Sequence, residues 1–75
     1  MYEGAFVRVR DDALLGGEFV ESNRIAVANH GWLWRVVEPP EITDEKRFIA
    51  DCISLATGKT AQWLDYEVDM ISEEG

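Results

Sequence analysis

An α+β fold is predicted for this 75-residue chain: a small antiparallel sheet of three or four strands over about residues 5–38, then one or two helices at about 43–57 and 60–72, packed on one face. Apolar residues alternate before Pro39, which suits strands, and recur at helical spacing after Pro40. Neither proline donates a ladder hydrogen bond, so the pair marks the border between the two regimes. A chain of this length builds one core, and residues 1–75 are read as a single domain.

The first strand is read at Phe6 to Arg10, with Val7 and Val9 on one side and Phe6, Arg8 and Arg10 on the other. Asp11, Asp12, Gly16 and Gly17 bracket a loop. Glu18 to Glu21 is a weaker strand candidate. Alternation resumes from Arg24 to Ala28, and Asn29-His30-Gly31 reads as a three-residue turn into a last strand at Trp32 to Val37. In one sheet, Val7, Val9, Ile25, Val27, Trp32, Trp34 and Val36 share a face, and Arg8, Arg10, Arg24 and Arg35 share the other. Each large aromatic buries about 150 to 250 Å², so Trp32, Trp34 and Trp63 are expected to dominate a core or an interface.

Beyond the prolines, Thr43 offers a side-chain cap, and Asp44 and Glu45 suit the positive first turn of a helix. Phe48, Ile49, Cys52, Ile53, Leu55 and Ala56 follow at helical spacing, and Gly58-Lys59 provides a stop. Thr60 then caps a second helix with Ala61, Leu64, Val68 and Ile71 in one stripe, beside Trp63 and Met70. Asp65 to Met70 also alternates strictly, so an edge strand with Tyr66, Val68 and Met70 inward competes with the preferred helix.

Fifteen acids against seven bases give a formal charge of −8. That density repels nucleic acid and anionic membrane surfaces and attracts a basic protein surface. No apolar run approaches the roughly 20 residues needed to cross a bilayer. Cys52 has no second cysteine to pair with, and no secretory-type segment opens the chain, so cytoplasmic residence is expected.

Catalytic and metal-binding patterns find little support. Thr57-Gly58-Lys59-Thr60 echoes the end of a phosphate-binding loop, but Ile53 stands where that loop needs glycine, so a helix stop joined to a helix cap is expected. Cys52 falls in an apolar stripe and reads as a quiet core residue, while His30 reads as a turn residue. Asp11-Asp12 and Asp44-Glu45 lack calcium-loop spacing. The expectation is therefore a chain that is not an enzyme and holds no cofactor or metal.

The C-terminal acids carry the functional reading. Asp65, Asp69 and Glu73 recur every four residues, Glu67 and Glu74 add charge, and no base follows Lys59. On a helix they form one acidic stripe with successive charges about 6 Å apart along the axis. A stripe without balancing lysines repels itself, which a basic partner relieves. The expected function is a non-catalytic protein–protein interaction, with these five acids docking on a basic, nucleic-acid-binding surface of a larger protein such as a nuclease complex. In size and charge alone, the chain resembles small acidic inhibitors of defence nucleases made by phages and mobile elements. The alternative is a structural or assembly protein, in which the tryptophan-rich hairpin and a sheet edge build a homo-oligomer or attach to a larger particle.

Overall fold

Six strands and one helix are present in the computed structural model, which describes residues 1–71. In chain order they are β1 (Phe6–Val9), α1 (Val20–His30), β2 (Leu33–Val36), β3 (Glu41–Ile42), β4 (Phe48–Ser54), β5 (Thr60–Leu64) and β6 (Val68–Met70), with short 3-10 turns at Asp11–Leu14 and Asp65–Glu67. The fold is α+β, and every strand pair is antiparallel.

One side of β4 pairs with β2 and β3, and its other side pairs with β5. Cys52 lies between Val36 and Ala61, and Ile49 between Glu41 and Leu64. Thus β3 continues the line of β2 after an interruption at Glu38-Pro39-Pro40. On the far side β2 pairs with β1, and β1 with β6. The margins β5 and β6 are joined only by the three-residue turn Asp65–Glu67. In a flat sheet four strand spacings of about 4.8 Å would separate them, farther than a 3-10 turn rising about 2 Å per residue can reach. The sheet must therefore curl, which makes one face concave.

The concave face is the core: Val7, Val9, Trp34, Val36, Ala50, Cys52, Trp63 and Val68 are buried together with Ala5 and Ala13. Trp34 and Trp63 are its largest fully buried side chains. Small residues on β4 make room for them: Trp34 is paired across from Ser54, and Trp63 from Ala50. The Trp34 indole N–H donates to the Gly31 carbonyl at 3.0 Å, which fastens the end of α1 to the sheet. Gly31 stops the helix at φ 88°, a conformation that favours glycine.

Several predicted elements differ from those observed: the Glu18–Glu21 strand candidate is a turn and the start of α1, and Asn29 and His30 of the predicted turn end that helix. Residues 24–28 lie in α1 and not in a strand. The inward positions of α1 are Asn23, Ala26 and Val27, spaced as one helical face, whereas Ile25 is exposed. A polar and small inward stripe leaves no apolar helical signal. The predicted helix over 43–57 is the β3–β4 hairpin and the strand that follows. The Thr43 hydroxyl that would cap a helix instead accepts the Arg47 amide at 3.1 Å across the hairpin turn. On β4 the bulky Phe48, Ile49 and Ile53 are exposed or half-buried while Ala50, Cys52 and Ser54 are buried. The predicted helix over 60–72 is replaced, through its described residues, by β5, the 3-10 turn and β6. Thr57-Gly58-Lys59-Thr60 forms the β4–β5 turn and the start of β5, with Gly58 at φ 78°.

Candidate functional site

Among the described residues, Asp65, Glu67 and Asp69 do not form a stripe, because a 3-10 turn and a strand carry them in place of the predicted helix. Glu67 is only 5% exposed, and its carboxylate accepts hydrogen bonds from the Asn23 side-chain amide and the Leu64 backbone amide, both at 2.8 Å. It ties the 3-10 turn to α1 and is not available as a surface contact. Asp69 is exposed on β6 and ion-paired at 3.1 Å with Arg10, which also grips Asp12 through two hydrogen bonds of 3.1 Å. Those bonds hold the Asp12 carboxyl below its ordinary range. Asp65 accepts the Phe48 amide at 3.3 Å, where it supports the start of β4. Glu73 and Glu74 lie outside the described residues.

Nor do the arginines form one face. Arg8 and Arg35 do project from the outer side of the sheet, lying over Trp32 and Phe6 with guanidinium carbons 4.7 and 5.7 Å from the ring centroids. Arg24 is carried on α1, where it donates to the Leu14 carbonyl at 2.7 Å. Arg10 is engaged by its two aspartates.

What the fold brings together is a groove of about 710 Å³ between the start of α1, the β3–β4 hairpin and the Asp65–Glu67 turn. This lies within the roughly 300 to 1,000 Å³ of ligand clefts. Its apolar lining comes from Phe19, Ile49, Leu64 and Tyr66, and its polar lining includes Ser22, Thr43 and Gln62. Glu18, just before α1, Glu45 and Arg47, in the β3–β4 turn, and Glu67, in the 3-10 turn, complete the lining. The Arg47 guanidinium carbon lies 5.2 Å from the Tyr66 ring centroid. Three acids against one base make the groove acidic.

Each wall depends on a local feature of the chain. Glu18 and Phe19 immediately precede α1, whose position is fixed by the Asn23 bond to Glu67 and a second Asn23 bond to the Ala13 carbonyl at 3.1 Å. Glu45 and Arg47 sit in a turn closed by bonds between Thr43 and Arg47, with Lys46 at φ 63°. Tyr66 is held outward because its neighbour Glu67 is held inward.

No known protein family, characterised protein or solved structure matches the chain. The groove is therefore read from its own chemistry.

Cys52, His30 and Ser54 lie outside the groove. Cys52 is wholly buried, and desolvation, with a smaller contribution from the Asp51 charge, pushes its thiol up to about 12. His30 shares a 2.8 Å hydrogen bond with the Thr57 hydroxyl, outside the groove. Ser54 donates to the His30 carbonyl and accepts the Ala56 and Thr57 amides, so it serves the chain turn. Among the described residues no helix is long and apolar enough to cross a membrane.

The sequence reading missed the groove because its walls come from residues 18–23, 43–49 and 62–67, which are distant along the chain. The one local trace is Glu45, whose place just after Thr43 reads in the sequence as the first turn of a helix.

Proposed function

We propose that this chain is a non-catalytic interaction protein that docks an acidic surface on a basic surface of a larger protein. The observation that carries the reading is the state of the acids on the β3–β4 arm and across the groove. Glu18, Glu38, Glu41, Asp44 and Glu45 are exposed, and among the described residues none has a base within 4.0 Å. The ion pairs that do form, at Asp11, Asp12 and Asp69, involve only Arg8 and Arg10 near the opposite margin of the sheet. An acidic surface left unneutralised in this way steers a basic partner towards it and accelerates association. Nucleic-acid-binding proteins, nucleases among them, present such basic surfaces, and covering one would block it.

The test compares proteins retained at low salt by the native chain with those retained by the variant E41Q/D44N/E45Q, identified by mass spectrometry. The reading requires basic proteins that bind the native chain, are lost from the variant and elute as salt rises. Identical retention by both chains would sink it.

A second reading, self-assembly, is favoured by the sheet margins, since among the described residues β5 and β6 each pair on one side only. Light scattering separates the two: a chain that acts alone stays monomeric at concentrations where an assembly protein associates.

A further inference from the structure

We infer that the groove receives an arginine side chain of the partner, on the face of Tyr66 that Arg47 now covers, and that Arg47 is a built-in competitor for that position. The inference rests on the proposed docking to a basic protein and adds to it where the contact is made and by which side chain.

Tyr66 is 51% exposed, and the ring face turned to the groove already holds a guanidinium, that of Arg47. Arg47 forms no ion pair with any acid among the described residues, and its contact in the groove is with the Tyr66 ring. Glu18 and Glu45 also line the groove, and among the described residues neither has a base within 4.0 Å. The groove thus holds an aromatic ring and two carboxylates that lack a base, and the chain's own arginine covers the ring but pairs with neither carboxylate. A partner's arginine, entering from solvent, can take the ring face and pair with a groove carboxylate. Guanidinium suits the site better than ammonium because it stacks flat and presents a fork of donors to a carboxylate. The apolar lining from Phe19 and Leu64 takes the methylene stem.

The competitor gives the inference an unusual sign. Removing a positive charge from a protein that binds a cation generally strengthens binding through long-range attraction, and that effect fades with salt. Removing Arg47 also vacates the ring, and that gain persists at high salt.

The experiment uses the full chain, labelled with nitrogen-15, titrated with three blocked peptides: acetyl-Gly-Arg-Leu-Arg-Gly-amide and its lysine and glutamate counterparts. The arginine peptide is expected to shift the amide resonances of Phe19, Glu45 and Tyr66, the lysine peptide to bind more weakly, and the glutamate peptide not to bind. Arg47→Ala should bind the arginine peptide roughly two- to fivefold more tightly at high salt, the size of one exposed cation–π contact. Arg47→Lys, which keeps the charge but stacks less well, should move in the same direction. Glu18→Gln and Glu45→Gln should each weaken binding.

Unchanged or weaker binding by Arg47→Ala would overturn the inference, as would equal binding of the lysine or glutamate peptide. Concentration-dependent shifts in the groove without peptide would assign it to a second copy and overturn it as well. Peptide shifts confined to Glu38, Glu41 and Asp44 would remove the groove but leave docking by the acidic arm intact. Loss of both peptide binding and salt-sensitive retention of basic proteins would remove both readings.

Discussion

The indole of Trp63 meets that of Trp34 edge to face, with ring centroids 5.4 Å apart and planes at 67°. The pair spans the concave face from β5 to β2, over the small β4 residues Ala50, Cys52 and Ser54. Edge-to-face contact places the positive rim of one ring against the negative face of the other. The two tryptophans thereby hold the curl of the sheet that brings the Asp65–Glu67 turn beside α1 and forms the groove.

Trp34→Ala should cost about 3 to 5 kcal/mol, as deletion of a buried aromatic does. Trp34 is fully buried and also holds the Gly31 carbonyl, so the end of α1 loosens with it. For so small a domain the expected result is loss of the cooperative melt, followed by circular dichroism and tryptophan fluorescence. A variant melting within a few degrees of the parent would show that the indole is not the centre of the core.

Glu67→Ala should leave the Leu64 amide without its acceptor and cost the Asn23 side chain one of its two, the other being the Ala13 carbonyl, at about 1 to 3 kcal/mol for a donor left unpaired. Hydrogen exchange should then accelerate at Leu64 and along the first turns of α1. Combined with Asn23→Ala, the loss should be less than additive, because both variants break the same 2.8 Å bond. Strict additivity in a double-mutant cycle would separate the two residues.

Cys52 should resist labelling by thiol reagents in the native protein, since it is wholly buried. It should also make stability fall at high pH. The unfolded thiol releases its proton near pH 8.5, whereas the folded thiol retains it up to about 12. Between these values only the unfolded chain gains by deprotonation, so stability present below about pH 8.5 is lost as pH rises, by up to about 1.4 kcal/mol per unit. Urea melts of the parent and Cys52→Ala should diverge over this interval, the parent losing more. Parallel pH curves would show that Cys52 is not shielded.

Asp69→Asn should reduce retention of a basic partner less than Glu45→Gln does, because Asp69 shares the Arg10 guanidinium with Asp12. Glu45→Gln should reduce both affinity and salt slope, since its charge is uncompensated. Surface plasmon resonance of the two variants at several salt concentrations checks the order. The reverse order would return the docking face to β6.

The strands around Val7-Val9 and Trp34-Val36 were legible because bulky residues alternate with arginines, and the burial of Trp34, Trp63 and Cys52 was legible from their apolar character. Residues 48–56 misled because β4 faces the core with Ala50, Cys52 and Ser54, beneath two tryptophans supplied by other strands. Its larger side chains, at Ile49 and Ile53, point elsewhere, so the apolar spacing imitated a helix. Residues 65–70 do alternate, but as a turn feeding a short strand, with Glu67 buried by a bond to Asn23 that lies 44 positions earlier.

By itself, the sequence determined the α+β class, the surplus of acids and the residues large and apolar enough to fill a core. These are properties of composition and of neighbours along the chain. Tertiary structure alone decided which acids are spent and which are free: Glu67 is buried to hold α1, Asp69 is paired with Arg10, and Glu18 and Glu45 are left unpaired across a groove. The physical reason is that hydrogen bonds, ion pairs and a site with walls from three separate segments depend on distances that only folding sets.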